Sequence, residues 1–161
     1  APVVIFAVGN PSRGDDALGP VLAGRLRDWL DESGRGARVE VIEDFQLQIE
    51  HAIDLAGREL VLFVDAGMET PVPFSFTRAV PDGGPGHSTH ALTPGAVLEV
   101  FLRTEPGEPP PAYVLCVRGE EFGLGEPLTA TAAACADDAL AFIRELIDEP
   151  TAAAWERLAG S

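Results

Sequence analysis

The 161-residue chain contains no lysine: its eleven basic residues are arginines, against 26 Asp and Glu, and the formal charge at pH 7 is −15. The absence of lysine excludes Schiff-base catalysis and a lysine-dependent phosphate loop. A protein this acidic repels phosphate backbones and anionic lipid headgroups. We therefore expect neither a nucleic acid nor a membrane surface as a partner.

Cysteine is also scarce. Two cysteines, Cys116 and Cys135, make neither a disulfide framework nor a four-cysteine zinc site, and both are expected to be buried fillers in a reducing, cytoplasmic protein. Long apolar runs are absent, as are the Gly-x-Ser-x-Gly, His-Glu-x-x-His, Cys-x-x-Cys and Gly-x-Gly-x-x-Gly motifs. These absences leave no sequence sign of a serine hydrolase, a zinc protease of the His-Glu type or a dinucleotide enzyme.

The chain length predicts one domain over residues 1–161, with residues 151–161 as a tail that docks as one helical turn or frays. Apolar runs at Val3–Val8 and residues 60–64 predict strands that are buried on both faces, as in a parallel sheet. Helical spacing at residues 18–30, and more weakly at 47–55, predicts the crossovers. The remaining predicted elements are a strand at 39–42, an edge strand at 74–80, a helix from Thr93, a strand at 113–117 and a helix at 136–147. This order predicts an α/β fold: one three-layer domain with a twisted, mostly parallel sheet of about five strands and helices on both faces.

Four residues follow predicted strands or precede a helix in positions that suit chemistry. Asp15 and Asp16 follow the first strand, Asp65 follows the third, and His90 precedes the helix that begins at Thr93. Open α/β sheets bind ligands at the carboxyl edge, so Asp16 and Asp65 are predicted to share that edge. Each residue also has a structural alternative: Asp15 and Asp16 as helix N-terminal acids, Asp65 as a loop cap, and His90 as an ordinary loop histidine. His51 is expected to pack on the second helix.

Two carboxylates and one neutral imidazole form a mixed oxygen and nitrogen ligand set. Such a set suits a divalent first-row metal, and nickel, zinc, manganese and iron all remain open. Without a metal, like-charge repulsion among Asp15, Asp16 and Asp65 would raise at least one carboxyl pKa.

Three segments resemble motifs of the hydrogenase maturation endopeptidases, which trim the large subunit of nickel-iron hydrogenases. They are Gly9-Asn10-Pro11 through Gly14-Asp15-Asp16-Ala17-Leu18-Gly19, then Val64-Asp65-Ala66, and then Ser88-Thr89-His90. Residues 46–55 and 116–128 also resemble parts of some members, so the similarity extends over nearly the whole chain.

The resemblance implies that Asp16, Asp65 and His90 contact nickel held by the precursor, with Asp16 and Asp65 as the catalytic pair. The first ligand is often Glu in the family; here it is Asp16, and Asp15 is the fallback. Asp44, near the end of the second strand, and Asp15 are weaker predictions for substrate contact. The implied partner is the immature, nickel-loaded large subunit, from which a C-terminal extension is cleaved. No resident cofactor is implied, because the nickel arrives with the substrate; zinc or cadmium could occupy the site in crystals.

Two mechanisms remain open from the sequence. In one, nickel bridged by the three residues, or a carboxylate, activates a water; in the other, nickel is an identity check and the two aspartates form an acid/base pair. Two other functions compete with the endopeptidase: a nickel-checking, chaperone-like module that does not cleave, and a metal-dependent hydrolase of small molecules on the same fold.

Overall fold

The structure, a computed structural model, describes residues 1–82 and 92–160, and in these ranges five strands form one sheet. The strands are β1 (Val3–Val8), β2 (Val39–Asp44), β3 (Leu60–Gly67), β4 (Phe74–Ala79) and β5 (Ala112–Arg118). Their order is β2-β1-β3-β5-β4, and all neighbours are parallel except β4, which is antiparallel to β5. The predicted mostly parallel sheet, with its edge strand, is therefore confirmed.

Four α-helices and two 3₁₀ segments complete the described fold. The α-helices are α1 (Leu18–Glu32), α2 (Pro94–Thr104), α3 (Ala130–Asp148) and α4 (Ala152–Leu158), and the 3₁₀ segments are Gly14–Ala17 and Ile49–Leu55. One apolar core joins the sheet to α1, α3 and α4, and a second joins it to α2 and the later 3₁₀ helix. The three-layer prediction is confirmed.

The unbroken apolar run of β1 is explained by these two cores. All six of its residues are buried, and they alternate between the two layers: Val3 and Ile5 pack with α1 and α3, and Val4 and Phe6 with α2. Each fully buried large side chain of this kind contributes roughly 1.5 to 3 kcal/mol. A strand with one solvent face would instead alternate apolar and polar residues.

Two elements differ from the sequence expectation. The second helix is a 3₁₀ helix rather than an α-helix, and its start is fixed by reciprocal capping between Gln48 and His51. The tail docks over two helical turns: Trp155 is fully buried and its Nε1 donates to the carbonyl of Leu146 at 3.0 Å. The Gly160 N–H also donates to the Phe76 carbonyl of β4 at 2.7 Å, so the tail covers part of this edge strand. Within the described ranges, no helix is both long and apolar enough to cross a lipid bilayer.

Candidate functional site

A pocket of about 400 Å³ opens at the carboxyl edge of the sheet, and Asp16 and Asp65 both line it. Its floor is formed by residues from β1, β3 and β5, and its walls by residues 45–47 and by the start of α2. Most of the other lining side chains are apolar: Val8, Phe45, Leu47, Phe63, Leu92, Pro94 and Val114. The structure thus brings together two of the three predicted metal ligands.

Asp16 is positioned by the turn that follows β1. A Cβ at Gly9 would lie 2.0 Å from the Asp16 carbonyl oxygen, so the chain can pass this closely only at a glycine. The next backbone N–H, that of Asn10, donates to Oδ2 of Asp16 at 2.8 Å. These two contacts direct the carboxylate of Asp16 toward the pocket.

Asp65 lies within β3, which continues to Gly67. The sequence predicts a strand at residues 60–64 with Asp65 directly after it, so the observed strand extends two residues beyond Asp65. The Asp65 side chain is accessible at the pocket, yet protein surrounds it closely; within residues 1–82 and 92–160, its one hydrogen-bond donor is the Ala66 N–H, 2.7 Å from Oδ1. Desolvation raises the pKa of Asp65 to about 6, against the effect of the Ala66 hydrogen bond, and the charge of Asp16 adds to the increase. The pocket therefore favours one proton or one bound cation over two free carboxylates.

Asp15 has the opposite environment, although it precedes Asp16 directly. Its side chain is fully buried and accepts four hydrogen bonds: from the N–H groups of Glu120, Glu121 and Thr129 and from the Thr129 hydroxyl. Burial alone would raise the pKa of Asp15, but these hydrogen bonds outweigh it and hold the pKa below 3.8. Asp15 is not among the residues that line the pocket. Substrate contact by Asp15, one of the weaker sequence predictions, therefore has no support in this geometry.

Asp44 ends β2 beside the same loop, since its carbonyl accepts the Gly9 N–H at 3.0 Å. Its Oδ2 lies 3.4 Å from Nε2 of His51. Nδ1 of His51 accepts the Gln48 N–H at 2.8 Å, which assigns the proton of a neutral ring to Nε2. His51 is buried and packs edge-on against Phe6, so its predicted packing role is confirmed. Asp44 flanks the pocket without lining it, and its contact with a substrate stays a prediction.

His90 lies outside the described residues, and its role as a ligand stays a prediction. In residues 1–82 and 92–160, no three His, Cys, Asp or Glu side chains are grouped closely enough to hold a metal ion. Asp16 and Asp65 are the two carboxylates that these ranges offer in the pocket, and a metal bound there needs further donors.

Cys116 corrects one expectation. It is half-buried rather than a core filler, it lines the pocket, and its Sγ forms a 2.9 Å hydrogen bond with Oγ1 of Thr70. Desolvation raises the pKa of the Cys116 thiol, against the effect of Thr70, and the charge of Asp65 raises it further, so the thiol is a weak nucleophile. The signal that would reveal this position is the register that pairs Asp65 with Cys116, which depends on the tertiary fold. Cys135 is buried, as expected.

Comparison with known proteins identifies the fold. No protein-family model and no curated protein sequence matches the chain. Among solved structures, the NiFe hydrogenase maturation protease HycI from Thermococcus kodakarensis is similar, at 24% identity over 91% of this chain and 92% of that one, with a TM-score of 0.69. The hydrogenase maturating endopeptidase HybD from E. coli gives 21% identity, coverage of 93% and 94%, and a TM-score of 0.71. This chain has the hydrogenase maturation protease fold.

HybD from Thermococcus kodakarensis is similar as well, at 22% identity over 91% of this chain and 99% of that one, with a TM-score of 0.65. The family resemblance in the sequence is thus confirmed at the level of the fold. In this maturation protease fold, the pocket lies where open parallel sheets place their ligands, at the carboxyl ends of β1 and β3.

Proposed function

We propose that the protein is an endopeptidase that removes the C-terminal extension of a nickel-loaded nickel-iron hydrogenase large-subunit precursor. The observation that carries the proposal is the shared pocket of Asp16 and Asp65, in which the pKa of one carboxyl rises to about 6. Titratable groups with pKa values moved toward neutrality are typical of acid/base sites. The likeness to maturation proteases over about nine-tenths of the chain supports the proposed substrate class.

The two aspartates act as an acid/base pair that holds one proton. The ionised carboxylate removes a proton from a water molecule, which then adds to the scissile carbonyl carbon. The protonated carboxyl donates its proton to the amide nitrogen, so the peptide bond breaks into a new carboxylate and a new amine. The raised pKa of Asp65 makes it the group that carries the proton near pH 6.

The precursor's nickel is substrate rather than a resident cofactor in this proposal. Asp16, Asp65 and His90 contact it and so hold the scissile bond close to the catalytic pair. The described part of the pocket offers no basic side chain that would compete with the nickel for these side chains. The reaction takes place in the cytoplasm, and the enzyme needs neither nucleic acid nor a membrane.

The experiment is to mix the purified protein with nickel-loaded precursor and to weigh both proteins by mass spectrometry. We expect a single cut that shortens the precursor at its C-terminus and leaves the protease unchanged. The same precursor prepared without nickel is the control, and we expect it to stay intact.

Three results would contradict the proposal. A stable complex without loss of mass would identify a module that checks nickel but does not cleave. Equal cleavage of the precursor with and without nickel would show that nickel recognition is not part of the reaction. Turnover of small model esters with added metal, without cleavage of the precursor, would favour a small-molecule hydrolase.

A further inference from the structure

The loop that carries Asp16 is attached to a second connection, residues 119–129, which lies between β5 and α3. Three backbone hydrogen bonds join the two segments: Asp15 N–H to the Glu121 carbonyl at 2.6 Å, Gly14 N–H to the Glu126 carbonyl at 3.0 Å, and Gly125 N–H to the Ser12 carbonyl at 2.7 Å. The approach is close, because a Cβ at Gly14 would lie 2.3 Å from the Glu121 carbonyl oxygen. The position of the first loop therefore depends on the second.

The Asp15 side chain adds the strongest of these attachments. Its Oδ2 accepts from Glu120 N–H at 2.6 Å, Glu121 N–H at 3.1 Å and the Thr129 hydroxyl at 2.8 Å, and its Oδ1 accepts from Thr129 N–H at 2.7 Å. Hydrogen bonds to an ionised carboxylate are shorter and stronger than those between neutral groups. A fully buried carboxylate with four donors is fixed in one orientation.

Thr129 connects this carboxylate to a rigid element. Its hydroxyl gives its proton to Asp15 and accepts the Ala132 N–H at 3.1 Å, which is the N-cap bond of α3. Helix α3 is anchored in the core through fully buried residues such as Ala132 and Ile143. One hydroxyl therefore joins the start of a core helix to the residue before Asp16.

The carboxylate of Asp16 has few attachments of its own. In the ranges that the structure describes, its one hydrogen bond is from the Asn10 N–H. Since Asp15 is held on the inner side of the loop, its neighbour in the chain is left to face the pocket. We propose that Asp15 and Thr129 form a latch, defined by their hydroxyl–carboxylate hydrogen bond, that positions Asp16 for catalysis. Both are positioning residues, and the effect on catalysis rests on the function proposed above.

The test uses Thr129→Val, because Asp15→Asn would alter all four hydrogen bonds of the buried carboxylate at once. Valine has the shape of threonine, and its backbone N–H still donates to Oδ1 of Asp15, but its side chain cannot donate to Oδ2. Thr129→Ser keeps the hydroxyl and is the conservative control. Thr151→Val is the matched control, because Thr151 also accepts an N-cap bond, from Ala154 N–H at 3.1 Å, but lies at the start of α4 and away from Asp15.

Amide hydrogen exchange at Asn10 gives a readout that does not need activity, because this N–H reports the position of the Asp16 carboxylate. Relative to the Ile5 amide in the centre of β1, we expect exchange at Asn10 to be roughly tenfold faster in Thr129→Val. With nickel-loaded precursor, we expect kcat to fall roughly 10- to 100-fold, because the misplaced group takes part in the proton transfer of the transition state. Thr129→Ser should match the wild type in both measurements. Thr151→Val should lower Tm as Thr129→Val does, without changing Asn10 exchange or kcat.

Wild-type Asn10 exchange in Thr129→Val would overturn the latch, and so would faster exchange with unchanged kcat. If the wild-type protein does not cleave the precursor at all, the proposed function fails. In that case Asn10 exchange still decides whether the latch positions Asp16.

Discussion

The inner and outer sides of the loop after β1 differ in the number of hydrogen-bond donors that they offer to a carboxylate. On the inner side, Asp15 receives four donors and its pKa is lowered. On the outer side lies the pocket that Asp16 lines, where Asp65 of β3 receives one donor among the described residues and its pKa rises to about 6. Burial works against the charge at both positions, so the donors decide the outcome.

This difference separates a structural carboxylate from an available one. All the strong interactions of Asp15 are made within the protein, so it has little left to offer a substrate or a metal. Among the described residues, Asp16 and Asp65 each accept one hydrogen bond, and both line one pocket. The availability of lone pairs, rather than the presence of acidic residues, marks the candidate site.

The largest expected effect is on cleavage of the precursor. Asp16→Asn and Asp65→Asn keep the side-chain shape but remove the charge that a base or a metal ligand needs. We expect each to reduce kcat/KM by roughly 100- to 10,000-fold, the range typical of a lost acid/base group, while far-UV circular dichroism stays unchanged. The measurement is the rate of mass loss from nickel-loaded precursor.

Asp137→Asn is the matched control, because Asp137 is an exposed aspartate that pairs with Arg25 on the surface. It should cleave at the wild-type rate. Full processing by Asp16→Asn or by Asp65→Asn would remove that residue from the site and would leave the outer side of the loop without a function.

The second prediction concerns the inner side, and its readout is stability. Asp15→Asn places an amide among four donors, so at least one N–H faces another N–H. We expect a loss of about 3 kcal/mol in the free energy of unfolding, the scale found when one partner of a buried charged contact is removed. Urea denaturation at pH 7 measures it.

The exposed substitution Asp137→Asn, by comparison, should change stability by less than about 1 kcal/mol. The contribution of Asp15 is present above its ordinary pKa of 3.8 and is lost as the pH falls through its lower, folded-state value. If Asp15→Asn were as stable as Asp137→Asn, the four hydrogen bonds of Asp15 would contribute nothing to stability. The inner side of the loop would then not differ from the outer side in this respect.

The sequence could predict the sheet, because buried parallel strands require unbroken apolar runs such as Val3–Val8, and the helices, because periodic apolar faces require a core. It could also predict that Asp16 and Asp65 share an edge, since both lie at the carboxyl ends of strands that are adjacent and parallel. The family resemblance favours Asp16 over Asp15, but the residue pattern alone could not separate the two. That distinction depends on Glu120, Glu121 and Thr129, which are more than a hundred residues away in the chain.

Cys116 shows the same limit. Its place in the pocket depends on the register between β3 and β5, which pairs it with Asp65, and single-strand patterns carry no register between distant strands. The 3₁₀ form of residues 49–55 depends likewise on the local capping by Gln48 and His51.

A third prediction tests how the loop places Asp16. Gly9→Ala adds a Cβ that would lie 2.0 Å from the Asp16 carbonyl oxygen, so the turn must open. We expect a loss of roughly 1 to 3 kcal/mol in stability, with reduced cleavage of nickel-loaded precursor. Gly24→Ala in α1 is the matched control, because no atom lies within 4 Å of its added Cβ. It should be neutral or stabilise the protein by up to about 1 kcal/mol, since alanine is the better helix former. Equal effects of the two substitutions would mean that the turn does not constrain Asp16.

The smallest expected effect is a loss of stability as the pH rises, the opposite of the pH dependence that the inner side produces. Because the pKa of Asp65 is higher in the folded protein, about 6 against the ordinary 3.8, the native state binds more protons between these values. The contribution of Asp65 is therefore fully present below pH 3.8 and is lost as the pH rises through 6, the reverse of the Asp15 behaviour.

Asp65→Asn has no such titration, so its unfolding free energy should exceed that of the wild type at pH 7.5 and match it near pH 4. The difference should be about 1 kcal/mol or less, since water screens the accessible part of the carboxylate. If the urea curves of the two proteins coincide at both pH values, the charge of Asp65 costs no stability, and water must solvate Asp65 as fully as the four donors satisfy Asp15. The distinction between the two sides of the loop would then no longer identify a site.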